Sequence, residues 1–334
     1  MADLKLNGIT PDGVGKIKLG SVNVQEIYMG STLVWPPSSP APCVFEPANR
    51  TQLLTAVNLW VSNRTSAIAT YGQINTWCTG NVTDMSGLFG NKTTFNDDIS
   101  NWDVSNVTNM SFMFSYASMF NQPLNTWDVS SVTNMALMFN SANAFNKDIS
   151  SWDVSNVVNM EAMFGVARAF NQDISSWDVG NVTNMAGMFQ YTDSFNQPLD
   201  NWDVSSVTNM GTMFQFANVF NQNLNSWDVG NVTFSMIAMF EGASAFDGNI
   251  SAWNVSSVTN MRSMFKQASA FNQDIGNWDV SSVTDMNSVF LGASTFNKNL
   301  SGWCVTNITS EPFNFSTNSP LTQANKPVWG TCPP

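Results

Sequence analysis

Residues 99–114 read ISNWDVSNVTNMSFMF, and close copies of this stretch follow one another almost to the C-terminus. The tryptophan recurs as Trp77, Trp102, Trp127, Trp152, Trp177, Trp202, Trp227, Trp253, Trp278 and Trp303, every step being 25 residues except the 26 from Trp227 to Trp253. A fixed period of this length marks a stacked repeat, in which each unit buries its apolar face only against its neighbours.

Within the unit, Ile99, Trp102 and Val104 have the spacing of a short strand, and Val107 closes a turn. Met110, Met113, Phe114 and Ala117 then fall at i, i+3, i+4 and i+7, one face of a short helix, with Thr108 or Asn109 as its cap. Phe120 and Asn121 open the next unit. The predicted fold class is an α/β repeat: about ten 25-residue strand-turn-helix coils forming a solenoid, preceded by a small all-β N-terminal unit. The order Ile99-x-x-Trp102-x-Val104 follows the leucine-rich pattern L-x-x-L-x-L. A propeller of tryptophan-aspartate blades is the rival, but such blades need roughly 40 residues for four strands.

Working outward, five regions are expected. Residues 1–36 hold short β-like runs (LKL, KIKLG, VQEIYMG, TLVW) and read as a small anchoring or assembly module. Residues 37–43 are a stiff Pro-rich linker. Residues 44–76 form a helical N-terminal cap, with Leu53, Leu54, Val57 and Trp60 at helical spacing behind Asn49 and Thr51. Residues 77–303 are the repeat, and residues 304–334 an irregular C-terminal cap. Between Thr233 and Met236 the pair Phe234-Ser235 replaces a single Asn or Asp, which predicts a bulge at a helix start.

The four cysteines flank the array, and two end-clamping disulfides are expected, Cys43–Cys78 and Cys304–Cys332, in an extracellular setting. Four free thiols are the alternative. The start, MADLKLNGIT, lacks the basic and apolar regions of a secretory signal, so the expectation is a chain that was trimmed or that leaves its cell by another route.

Composition excludes several functions. A net charge of −12 with 11% charged residues leaves no basic patch for nucleic acid or an anionic membrane. No apolar run reaches the roughly 18 residues that span a bilayer, so membrane insertion is not expected. There is no histidine, which removes the commonest general base, metal ligand and nucleophile partner. No phosphate loop or D-x-D-x-D-G calcium loop occurs. An enzyme is therefore not expected; a carboxylate-dependent hydrolase is the third functional reading, with no pair of Asp set apart from the others.

One ladder of carboxylates does need an account: Asp103, Asp128, Asp153, Asp178, Asp203, Asp228 and Asp279, with Asn254 in the same slot. Either each caps its own turn or the row binds cations, calcium being the candidate; no other cofactor is expected. A second row, Asn96, Asn121, Asn146, Asn171, Asn196, Asn221, Asn272 and Asn297, reads as structural. Where the copies differ, side chains are either unconstrained surface or candidates for partner binding; among the candidates Phe112, Tyr116, Tyr191, Phe216 and Leu291 lead, because aromatic anchors dominate interface energies.

Two resemblances extend this reading. The blocks WDVSNVTNM (102–110), WDVSSVTNM (127–135 and 202–210) and WDVGNVTNM (177–185), each followed by a Met-Phe pair, resemble the BspA-type leucine-rich repeats of bacterial and mycoplasma surface proteins. That resemblance implies a parallel right-handed solenoid and adhesion or binding at an outer surface. Residues 15–36, GKIKLGSVNVQEIYMGSTLVWP, resemble short N-terminal modules of tailed-bacteriophage structural proteins. The leading expectation is thus a bacteriophage virion structural protein: a capsid decoration, head fibre or tail-associated adhesin on the virion surface. Residues 1–36 would join it to other virion proteins or to its own copies as a homo-oligomer, and the repeat would meet a host or environmental surface ligand such as a glycan. The alternative is a bacterial cell-surface adhesin.

Overall fold

The computed structural model describes residues 9–12, 16–19, 22–24, 27–29, 32–35, 43–233 and 235–333. The chain divides into two compact units, Met1–Val44 and Phe45–Pro334. In the first, β1 (Ile9–Asp12), β2 (Lys16–Leu19) and β3 (Val22–Val24) pair antiparallel in that order. β4 (Ile27–Met29) and β5 (Thr32–Trp35) form a separate two-stranded ribbon. The expected single all-β unit is therefore replaced by two small sheets, with no strand longer than four residues. The Pro-rich run lies outside the described residues up to Cys43.

The second unit opens with α1 (Arg50–Ser62), where the Asn49 side chain accepts from Gln52 N at 3.1 Å. This satisfies one of the N–H groups a helix start leaves free. Leu53, Ala56, Val57 and Trp60 are its buried face, and Trp60 meets Trp77 of the first coil edge-on at 5.9 Å. α2 (Arg64–Tyr71) follows, capped by Asn63. These are the only α-helices among the described residues.

The coils themselves correct the α/β expectation. The residues predicted as strand and helix form neither; each coil is a string of tight turns. In the second coil, turns close from Trp102 N to Ile99 O (3.0 Å), Val107 N to Val104 O (2.9 Å), Met113 N to Met110 O (3.2 Å), Ser115 N to Phe112 O (3.1 Å) and Ala117 N to Phe114 O (2.9 Å). Four other N–H groups of this segment point to the next coil, while Ser111 N donates to Asn109 Oδ1 at 3.1 Å. Met110, Phe112, Phe114 and Tyr116 donate to the carbonyls of Asn134, Ala136, Met138 and Asn140 at 2.7–2.9 Å.

The physical reason is a competition for backbone partners. A helix of seven or eight residues spends a costly nucleus on few bonds and leaves its first N–H groups unpaired. In the stack, three or four N–H groups per coil find carbonyls in the neighbour instead. The turns require a left-handed residue at their third position, as in type II turns. Phe112 and Tyr116 supply it with φ of 59° and 60°, and the same two columns continue through Leu137 and Ser141, Ala162 and Val166, Gly187 and Tyr191, and Thr212 and Phe216.

Each coil buries the residues the period selects. Ile99, Trp102, Val104, Val107, Met110, Met113, Phe114, Ala117 and Phe120 are all closed to solvent. Phe114 and Phe120 stack at 4.0 Å inside their coil, and Phe114 meets Phe139 of the next at 5.4 Å. From Trp102 to Trp303 each repeat indole also stitches backward: Trp127 Nε1 donates to Ile99 O at 3.2 Å and Trp152 Nε1 to Leu124 O at 2.9 Å.

At the insertion no helix starts. Phe234 lies outside the described residues, and Ser235 takes the slot facing Asn209. Thr208 N reaches back to Thr183 O, whereas Thr233 N turns to Asn231 O, both at 2.9 Å, so one rung of that ladder is lost. At the C-terminal end a disulfide joins Cys304 to Cys332, and Val305 N donates to Thr331 O at 2.9 Å. Cys43 and Cys78 are also disulfide-bonded, and no described cysteine is free. No described helix is long and apolar enough to cross a membrane.

Candidate functional surface

The carboxylate ladder is held by its own turns. Asp128 Oδ1 accepts from Ser130 N at 3.1 Å and from Ser130 Oγ at 2.6 Å; Asp153 is bound in the same way by Ser155. Where Gly follows, as at Asp178 and Asp228, only the backbone bond remains, at 3.1 and 3.0 Å. Donation from the serine hydroxyl and N–H holds the carboxyls of Asp128, Asp153, Asp203 and Asp279 below the ordinary 3.8. Asp103 is bound by Ser105 at 2.7 and 3.1 Å. Among the described residues no three His, Cys, Asp or Glu side chains converge into a metal-holding group.

The asparagine row forms a second continuous ladder. Asn96 Oδ1 accepts from Asn121 N at 2.9 Å, Asn121 Oδ1 from Asn146 N at 3.0 Å, and so on to Asn297, with Asp247 standing in once. These amides satisfy the turn backbone of the adjacent coil, so their polarity is used internally.

The variable side chains gather on the ridge made by the left-handed columns. Phe112 and Tyr116 share one coil and stand about half exposed, at 47% and 54%, beside Met119 at 56%. Tyr191 and Phe216 come from adjacent coils and stack at 4.8 Å, 13° from parallel. Phe216 lies over Gly242, where an added Cβ would collide with the ring. Leu291 is not part of either group; it occupies the column just before the second left-handed position, and its carbonyl accepts from Gln267 N at 2.7 Å.

That same column carries a polar chain that reading the copies singly did not assemble. The amide of Gln190 donates to that of Gln215, Gln215 Nε2 donates to Glu241 Oε2 at 2.6 Å, and Lys266 Nζ donates to Glu241 Oε1 at 2.7 Å. Glu241 is buried and ion-paired, so it is closed to substrate. Its signal was the spacing: residues 25 or 26 apart stand side chain to side chain in consecutive coils. Arg168 likewise pairs with Asp193 across coils at 2.5 Å.

A cleft of about 340 Å³ lies between the helical cap and the first coil, lined by Trp60, Val61, Arg64, Thr94, Phe95 and Asp97. Its charged groups are occupied in docking the cap. Asp97 accepts from Trp60 Nε1 at 2.9 Å and binds the Arg64 guanidinium, which lies 4.8 Å from the Trp60 ring centre.

Fold and surface together define a tandem-repeat protein whose coils are built from turns and whose repeated polar ladders are internally satisfied. The family described as "Mycoplasma protein of unknown function, DUF285" matches residues 60–169, 147–235 and 232–329, and the chain belongs to it. No curated protein and no solved structure matches the chain.

Proposed function

We propose that this protein is a non-catalytic display module that binds a surface ligand through its variable ridge, carried on a bacteriophage virion. One observation supports the binding reading above the rest. On a frame whose Trp-Asp-Val segment repeats nearly unchanged, the second left-handed column presents Asn91, Tyr116, Ser141, Val166, Tyr191 and Phe216 in succession, and the two left-handed columns leave Phe112 and Tyr116 about half exposed. Large, half-exposed aromatics on a rigid backbone are the side chains that anchor interfaces. The virion placement rests on the phage-like texture of residues 15–36. A cell-surface adhesin is the second reading, favoured by the mycoplasma origin in the description of the matching family.

The test pairs binding with location. The purified chain and a Phe112→Ser/Tyr116→Ser variant are compared for retention on whole bacterial cells. The proposal expects at least tenfold weaker retention, two lost aromatic anchors costing on the order of 1.4 kcal/mol or more, with an unchanged unfolding midpoint. Equal retention refutes the ridge. Mass spectrometry of purified phage particles against washed cell envelopes decides placement, and recovery only in envelopes refutes the virion.

A further inference from the structure

The tryptophan series has an eleventh member that is out of line with the others. Trp329 follows Trp303 by 26 residues, the same step as from Trp227 to Trp253. From Trp102 to Trp303 each indole Nε1 donates to the carbonyl three residues before the preceding tryptophan, as Trp253 does to Leu224 O at 2.8 Å and Trp303 to Ile275 O at 3.0 Å. The same rule assigns Trp329 to Leu300 O. That carbonyl accepts the turn bond from Trp303 N at 3.0 Å and no other backbone bond among the described residues. In the inner coils the equivalent carbonyl accepts twice, as Leu124 O does from Trp127 N and Trp152 Nε1. Trp329 Nε1 is instead closed to solvent with no partner among the described residues. A buried donor left unpaired costs more than a typical hydrogen bond contributes, so another constraint holds the ring in this position.

The departures cluster around a disulfide. From Trp127 to Trp303 each tryptophan ring meets a phenylalanine of the preceding coil at 6.2–6.4 Å and 27–35°. Trp329 meets Phe315 edge-on, at 4.9 Å and 83°. Two backbone bonds beside it, Val305 N to Thr331 O at 2.9 Å and Gly330 N to Ile308 O at 2.8 Å, have no counterpart at the other coil steps among the described residues. All of these features lie within three residues of Cys332, which is bonded to Cys304, the residue directly after Trp303. The 26-residue step sets Gly330 opposite Cys304, whereas the disulfide brings Cys332 there, 28 residues on. The bond therefore draws the chain two residues past its register where the indole would dock. At the other end Trp77, next to the disulfide-bonded Cys78, keeps a partner for its indole in Gly72 O at 3.4 Å.

We propose that the C-terminal end of the stack is a redox-sensitive switch. With Cys304–Cys332 closed, the Trp329 indole is turned out of the row; reduction lets it swing in and donate to Leu300 O as the eleventh indole. Cys332 is exposed and Cys304 half-buried, so the bond is open to thiols. A dithiol is the reductant. Its thiolate attacks Cys332 Sγ, the S–S bond breaks, and Cys304 leaves as a thiolate that takes up a proton. The second thiol of the reductant then displaces Cys332, which also ends as a thiol, and the reductant is left as a disulfide. Two electrons and two protons pass to the protein. The switch is independent of the aromatic ridge, and its test uses no ligand of that ridge.

The experiment uses the full chain with isotope-labelled tryptophan, followed by NMR of the indole N–H groups. Cys304→Ser/Cys332→Ser opens this end and leaves the Cys43–Cys78 bond in place. The expected result is that the Trp329 indole signal moves downfield into the range of the Trp102 to Trp303 indoles and stays slow to exchange with solvent. A signal that does not move, or fast exchange showing that the segment has detached, overturns the proposal. A second measurement equilibrates the native chain with reduced and oxidised dithiothreitol and counts Cys304 and Cys332 thiols by alkylation and mass spectrometry. Trp329→Phe, which keeps an aromatic ring and removes the donor, should lower the equilibrium constant for reduction about fivefold, because only the reduced form gains that hydrogen bond. An unchanged or higher constant overturns the proposal. Retained slow exchange of the inter-coil amides in each variant separates these outcomes from unfolding.

Discussion

A substitution at Gln267 separates a turn-built ridge from a helical one by the sign of its effect. Gln267 is exposed, has φ of 59°, and its side chain makes no hydrogen bond. Its column neighbours on both sides are glycines, Gly242 and Gly292, with φ of 69° and 72°. A left-handed conformation costs a residue with a Cβ about 1–2 kcal/mol. Glycine removes that cost but loses more chain entropy on folding, about 0.5–1 kcal/mol relative to alanine. Gln267→Gly should therefore be more stable than Gln267→Ala by about 0.5–1 kcal/mol, the difference of those two terms. In a helix the order reverses, since glycine is about 1 kcal/mol worse than alanine in a helix interior. Comparing the two variants cancels the loss of the glutamine side chain. The assay is equilibrium urea unfolding followed by tryptophan fluorescence, read as the midpoint at matched slopes. An alanine variant more stable than the glycine variant would refute the left-handed ridge.

Two further outcomes are expected. Trp152→Phe removes the 2.9 Å indole bond to Leu124 O, which keeps its turn bond from Trp127 N at 3.1 Å, and should cost about 1–2 kcal/mol, from one lost hydrogen bond plus a smaller ring in a closed core. Faster hydrogen exchange should be confined to the coils on either side, because each coil touches only its neighbours; a uniform change across the array would contradict this. For pH, the carboxyls of Asp128, Asp148, Asp153, Asp173, Asp203 and Asp279 are lowered below 3.8 by bonds from the serines two residues on. A folded-state pKa below the unfolded one gives stability that is present above 3.8 and lost as pH falls through the folded values. The urea midpoint should be flat from pH 7 to 5 and drop below pH 4, and Asp128→Asn should make that drop smaller; a drop that begins near pH 6 would refute the assignment.

How much of this was legible depends on whether the signal is a spacing or a direction. The period of Trp102, Val107, Met110 and Phe114 identifies the buried side chains, because burial depends only on which residues face inward. Turn capping by Asp128 was readable for a similar local reason, the Ser two residues on. The helix was misread because two successive four-residue turns, 110–113 and 114–117, bury their first and last residues and so produce the same i, i+3, i+4, i+7 pattern. Burial spacing cannot tell these apart; backbone handedness can. The discriminating residues were visible only by aligning the copies: Gly87 and Gly187 stand in the column of Phe112, and Gly242 and Gly292 in that of Tyr116. A helix would place costly glycines there without reason, whereas a left-handed slot favours them. The same column reading would have joined Gln190, Gln215, Glu241 and Lys266, whose contacts arise between coils and leave no mark within any one of them. The aromatics at Phe112 and Tyr116 therefore stand at strained positions that glycine fills elsewhere, and it is this added cost, together with their exposure, that argues for a role in binding rather than in the core.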